Sequence, residues 1–450
     1  MRIGEAGTVR RAVAVLGIAG LVLALSGCDS WIGGGSNKKP LPGKRISVLA
    51  LDRTVEADPK LGDLAVRLPR PYRNPDWPEA GGEPNHAMHH LSAKGALAPL
   101  WREDIGEGGG DDALLLADPV VAEKKVCTMD VEAQVRCFAA ETGETLWRRS
   151  LKEKGKDEEG ILGGGLAYYD GRIYATTGFA DVVALDGKTG KELWRRRVNG
   201  PMRAAPTVYG GRVFVVTVAN ELHALDATDG KVLWTHSGIT ETAGLLGAAS
   251  PAVEGSVVVV AYTSGELYAL RVENGRVIWS DSLSALRRFD PVSSLSQIRG
   301  LPVIDRGRVI ATSNAGRTVA IDLRTGNRIW ERPIGSASSP WIAGDFIYLV
   351  TNSFELVCLT RQTGGVRWVR PLQRYEDEED KETPIVWSGP VVAGDRVLVG
   401  SSKGKIWSVS PYTGKLLGQI DVSGAVYLSP VIANDTLYIL TDRAKLLALR

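Results

Sequence analysis

The sequence predicts an all-β fold, an eight-bladed β-propeller of four-stranded antiparallel blades closed by an N-terminal strand in the last blade. Three observations carry this. From about residue 95 the 450-residue chain repeats three short β-rich runs, separated by turn residues and followed by a tryptophan, most clearly over 206–234. The spacing is fixed: Pro119 to Trp147, Pro206 to Trp234, Pro251 to Trp279, Pro302 to Trp330 and Pro340 to Trp368 are each 28 residues. The last copy begins at Pro430 and stops at Arg450 after its third run, whereas Ala96–Trp101 carries a tryptophan with no strands before it. One strand from each end completes a blade and leaves no open edge.

Ahead of the repeats, residues 1–27 read as a lipoprotein signal peptide. Arg10 and Arg11 precede the apolar run Ala12–Leu25, which is short for a membrane span, and Leu25-Ser26-Gly27-Cys28 resembles a bacterial lipobox. Cys28 is then the lipidated new N-terminus, and several acyl chains on one cysteine make a stable anchor. Asp29 resembles the inner-membrane retention signal of enteric bacteria, so the leaflet is open between inner and outer membrane. Residues 28–94, with Gly33–Gly35 and Pro40, Pro42, Pro69, Pro71, Pro75, Pro78 and Pro84, read as an extended tether. The propeller domain is 95–450.

Within the repeats the glycine four residues before each tryptophan (Gly143, Gly190, Gly230, Gly275, Gly326, Gly364) supplies a left-handed turn before the fourth strand. The tryptophan fills the wedge between neighbouring blades. Two copies are degenerate: Leu166 replaces proline ahead of Trp194, and Gly418 stands where a tryptophan is due. The links from each tryptophan position to the next strand vary from 10 to 23 residues and emerge on one face, which is therefore the expected working surface. One of the longest holds the acidic stretch Glu376–Asp380, read as solvated coil.

Three residues before the strand-opening position, near the expected channel mouth, stand Leu116, Gly163, Arg203, Ala248, Arg299, Ala337, Trp387 and Tyr427. Arginine and large aromatic residues there fit a protein-binding hot spot. The alternative, that Arg203 and Arg299 only cap nearby carbonyls, stays open.

Charge and composition exclude other classes. The chain carries net charge +2, and removing 1–27 takes away Arg2, Arg10, Arg11 and Glu5 and leaves none, so no bulk field gathers nucleic acid. No catalytic triad, phosphate loop or nucleotide fingerprint stands out, and His86-x-x-His89-His90 is a loose metal-like spacing without cysteine. Cys127 and Cys137 fall across a predicted hairpin on one sheet face, either as a disulfide or as two buried thiols.

The motif Ala-Leu-Asp-x-x-(Thr/Asp)-Gly-Lys-x-Leu-Trp, seen at Ala224–Trp234 and nearly at Ala184–Trp194, resembles the tryptophan-docking repeat of quinoprotein propellers. Quinoprotein dehydrogenases are longer and carry adjacent cysteines and calcium-binding carboxylates; no two cysteines are adjacent here. The length, lipobox and bare channel resemble the BamB family, lipoproteins of the outer-membrane β-barrel assembly machinery. That resemblance implies a cofactor-free, non-enzymatic scaffold that binds the periplasmic domains of the barrel-inserting subunit and, beside them, unfolded outer-membrane proteins. The family's Leu-x-Leu-Arg-Gly-like contact loop is matched, with one extra residue, by Leu295-Ser-Gln-Ile298-Arg299-Gly300. Leu295, Ile298 and Arg299 are thus implied partner contacts beside Arg203, Trp387 and Tyr427. The family's acidic residues before the next blade are replaced by Gly335–Ser339. The rival functions are a pyrroloquinoline-quinone dehydrogenase using Ca²⁺ and a propeller that binds an envelope polymer.

Overall fold

The computed structural model describes residues 55–110, 114–152, 163–241, 247–284 and 297–450. Eight four-stranded antiparallel sheets follow one another along the chain, spanning 120–150, 164–197, 207–237, 252–282, 303–332, 341–371, 387–421 and 431–449. We number these blades 1 to 8. The fourth strand of blade 8 is Pro99–Asp104, which pairs antiparallel with Lys445–Leu449, while Ala98 and Arg450 exchange two backbone hydrogen bonds of 2.8 Å. The ring is closed as the truncated last repeat requires.

Burial within a blade follows from what covers it. The middle strands are apolar on both faces because neighbouring blades cover both, as in Phe346–Val350 and Glu355–Thr360, where every residue is buried. The outermost strands have one covered position: in Thr145–Ser150 only Trp147 is buried.

That tryptophan joins consecutive blades in a repeated geometry. Its indole Nε1 donates to a backbone carbonyl of the next blade at seven junctions, from Trp101 to Ala140 (3.0 Å) through Trp279 to Leu323 (2.7 Å) to Trp368 to Pro411 (3.0 Å). The ring lies on the turn glycine of that next blade. A Cβ on Gly275 would sit 2.5 Å from the Trp234 ring, and one on Gly190 would sit 2.4 Å from Trp147. The glycine therefore serves twice, by its positive φ (71° at Gly275) and by leaving room for the indole.

This pairing explains Gly418. A tryptophan in blade 7 would dock on the turn between the third and fourth strands of blade 8. Those strands come from opposite ends of the chain, so no such turn exists, and the residue at 418 has no docking partner to meet.

Residues 66–97 differ from the tether expected for 28–94. Most of 74–93 is buried or half-buried, with Trp77, Met88 and Leu91 at 2% exposure or less. Each blade's innermost strand has a free edge toward the axis, and a buried edge with unpaired backbone groups is costly. The segment supplies the partners. The structurally equivalent amides of five blades, Val121, Tyr168, Val208, Val253 and Ile304, donate to Trp77 O, Pro78 O, Glu79 Oε1, Pro84 O and Asn85 O at 2.6–3.0 Å. Blade 6 is reached by Trp341 Nε1 to His89 O, blade 7 by Leu91 to Val392 and Gly394, and blade 8 by Asn74 to Ile432 and Asn434. All eight inner strands are thus tied to one segment, which closes the channel near the hairpins joining first and second strands. Proline-rich composition does specify extended backbone, but it fits a buried, carbonyl-rich strap as well as a solvated one.

The acidic stretch also differs from expectation. Tyr375–Asp377 and Glu382–Pro384 form a two-stranded ribbon, whose turn is held by Glu378 and Asp377 accepting backbone N–H groups.

Two glycines separate the docking effect from backbone strain. Gly255 has φ 58° and open space around its Cβ position, whereas Gly275 has the Trp234 ring there. Gly255→Ala should cost about 1–2 kcal/mol of unfolding free energy from the left-handed backbone. Gly275→Ala should cost roughly 1–3 kcal/mol more through the displaced indole. Urea unfolding of both variants measures the difference, and equal losses would contradict the docking account.

Candidate functional site

The channel, closed at one end by the strap, is a recess of about 160 Å³ opening on the face that carries the inter-blade links. Its floor includes Trp77, Ala80, Gly81 and His86 of the strap. Its upper wall uses the position three residues before the strand-opening site in seven of the eight blades: Leu116, Arg203, Ala248, Arg299, Ala337, Trp387 and Tyr427. The repeat register therefore brings Arg203, Arg299, Trp387 and Tyr427 together, as their shared position predicts.

Their environments differ. Tyr427 is exposed, and Arg203 and Arg299 are half-buried. Trp387 is buried, donates from Nε1 to Gln373 O (2.9 Å) and meets Trp407 edge to face at 4.8 Å, so it is a rigid wall. Burial lowers the pKa of the Arg299 guanidinium, and nearby Asp118 opposes that shift. Burial pushes the Asp118 carboxyl up to about 7, with Arg299 pulling the other way.

Ile298 requires correction. At 1% exposure it is packed with Ala249, Leu283 and Ile304 in the core between blades 4 and 5, and it presents no side chain to a partner. Its neighbour Arg299, not Ile298, lines the recess. Leu295 and Cys28 lie outside the described residues. Cys127 and Cys137 are directly paired across blade 1, with Cα atoms 4.1 Å apart, and are joined as a disulfide. Among the described residues, no three His, Cys, Asp or Glu side chains converge on a metal site, and His86, His89 and His90 each bind elsewhere in the strap's seat.

Asp118, Trp77 and His86 were not singled out as parts of this recess. Asp118 had a signal: the residue just before the strand-opening site is small or apolar in the other blades (Gly165, Ala205, Ser250, Leu301, Ser339, Gly389, Ser429). Trp77 also stands out, as a tryptophan outside the repeat.

The fold and recess define a tryptophan-docked eight-bladed propeller whose channel is a closed-ended pocket on its variable face. The family model described as outer membrane protein assembly factor BamB matches residues 131–370. The BamB proteins of Salmonella typhimurium and Escherichia coli are each 30% identical to the chain, covering 76% and 74% of it and 85% and 84% of their own lengths. The chain belongs to the BamB family of outer membrane protein assembly factors. In fold it is similar to BamB from Moraxella catarrhalis, with a TM-score of 0.67 at 18% identity over 79% of this chain and all of that one. A quinohemoprotein alcohol dehydrogenase from Comamonas testosteroni shares the fold at a TM-score of 0.64 and 14% identity, covering 88% of this chain and 82% of that one.

The strap makes the floor sensitive to acid. His86 Nδ1 lies 2.7 Å from Pro302 O, and burial holds the imidazole pKa down to about 4 from an ordinary 6.5. A lowered histidine pKa means the unfolded chain takes up the proton first, so its contribution to stability is present above about pH 6.5 and is lost as pH falls toward 4. His86→Asn keeps a donor for Pro302 and a residue type tolerant of the left-handed backbone (φ 62°). Between pH 7 and pH 5 the parent should lose about 2 kcal/mol more stability than this variant, measured by urea unfolding.

Proposed function

We propose that the protein is a non-enzymatic, lipid-anchored scaffold of the outer-membrane β-barrel assembly complex. It holds the periplasmic domains of the barrel-inserting subunit and assists insertion of outer-membrane proteins. The observation that carries this is the ring of unlike residues on the link-bearing face, Arg203, Tyr427 and the rigid Trp387, set on a frame shared with the named assembly factors. An arginine and aromatic groups around a recess form the kind of anchor point that dominates protein interfaces. Leu295, in the link between blades 4 and 5, extends that contact, and Arg299 backs it from inside the recess.

The anchor is Cys28, placing the propeller at the outer membrane on its periplasmic side. Partner and client contacts run through the variable face, and neither nucleic acid nor a cofactor takes part.

Affinity capture from detergent-solubilised envelopes tests this reading. The barrel-inserting subunit should co-purify with the parent protein, and Arg203→Glu combined with Tyr427→Ala should reduce its recovery at least fivefold at equal bait. Absence of that subunit, or indifference to the double substitution, would sink the proposal. Cys28→Ser should move the protein from the membrane to the soluble periplasmic fraction, and membrane retention of that variant would remove the anchor from the account.

A further inference from the structure

The recess has chemistry that a protein-docking face does not need. We propose that it is a binding site for one small organic carboxylate, planar, singly charged and about the size of a single ring. Its shape sets the size. The strap closes the far end, and the volume of about 160 Å³ is close to that of apolar cavities of about 150 Å³ that accept benzene.

Charge sets the ligand class. Two guanidinium groups, Arg203 and Arg299, face a recess whose acidic wall residue is Asp118. Among the described residues neither arginine is in an ion pair, and Asp118 acts on Arg299 only through space. A desolvated guanidinium without an anion in contact is costly, and a carboxylate matches its planar fork. The walls suit a ring: Trp77 and Trp341 stack at 6.1 Å with planes 19° apart, and both line the recess with Trp387. A doubly charged anion fits less well because Asp118 shares the site.

Asp118 also sets the pH dependence. The charge acting on it is that of Arg299; Arg203 and His86 share the recess lining, and burial pushes its carboxyl up to about 7. Ionised, it repels the incoming carboxylate; protonated, it can donate to it. Binding therefore tightens as pH falls from 8 to 6, by up to about tenfold, with uptake of one proton.

Benzoate is the probe, with benzamide as its neutral isostere and benzamidine as its cation, titrated calorimetrically into the detergent-solubilised full-length protein at pH 6 and pH 8. Benzoate should saturate one site at least tenfold more tightly than either analogue, and Arg299→Gln should weaken it at least tenfold. Asp118→Asn should retain binding and abolish its pH dependence. Ala248→Phe, which fills the recess while keeping Arg203, Arg299 and Asp118, should abolish binding while the circular dichroism spectrum stays that of the parent. No benzoate binding, benzamide or benzamidine binding equally well, or benzoate binding that survives Ala248→Phe would overturn the proposal. If Arg299→Gln does not fold, Ala248→Phe still decides. Partner capture is a separate readout, so failure here leaves the scaffold reading standing, and the converse also holds.

Discussion

The structure depends on an indole lying on a glycine. Each blade is a twisted sheet whose two faces need covering, and radial packing leaves a gap that widens outward. A tryptophan at the third residue of the outermost strand fills that gap, and its Nε1 finds a carbonyl in the next blade. The turn of that blade must then carry no Cβ. Two residue types at two sequence positions are therefore one interaction, repeated at seven junctions. Loss of one member removes the reason for the other. This is why the only blade ahead of the split blade 8 carries Gly418 without penalty to the pattern. The junction that lacks the dock is the one beside the closure made by Pro99–Asp104, where pairing of the two chain ends does the joining.

The axis poses the opposite problem. Tryptophan docking holds the outer rim, but the inner strands converge with their edges toward one another and leave amides facing a narrow channel. Water or a chain segment must satisfy them. The strap does so in seven blades, using main-chain carbonyls and one buried carboxyl, Glu79, and it reaches blade 6 through the Trp341 indole. Burial raises that carboxyl's pKa well above the ordinary range, with the Val208 amide opposing the shift. Closing the channel changes what the molecule can do. A through-passage becomes a recess with a defined floor, and the link-bearing face becomes the open side.

Much of this was legible in the sequence because the repeat interaction demands rare residues at fixed spacing. Trp and Gly in register gave the blade number, the truncated last copy gave the closure, and the offset from the strand-opening site placed Arg203, Arg299, Trp387 and Tyr427 around one opening. The strap was not legible. Pro69, Pro71, Pro75, Pro78 and Pro84 report extended backbone, and extended backbone has the same composition whether its carbonyls meet water or a sheet edge. Ile298 misled for a different reason. A motif match carries no information on which of two neighbouring side chains faces inward, and at 1% exposure the isoleucine takes the core position beside Arg299. Asp118 was readable only by comparing copies at a position where seven are small or apolar.

That last contrast shows where this fold leaves room for chemistry. Positions in the outer half of a blade answer to the neighbouring indole, and those on the middle strands answer to two packed faces. The inner strands near their first hairpin answer to the strap. Only the residues just before each inner strand escape all three demands, since they face the recess above the strap and below the links. Blade 2 is held to glycine there, since a Cβ on Gly163 would meet Met202 O and one on Gly165 would meet Ala205, but in other blades the positions vary and carry Arg203, Arg299, Asp118, Trp387 and Tyr427 while the frame stays constant. A propeller assembled from near-identical units is symmetric by necessity at its rim and its core. At the mouth of its channel it is free to be asymmetric, and asymmetry is what a surface needs to bind one thing rather than eight.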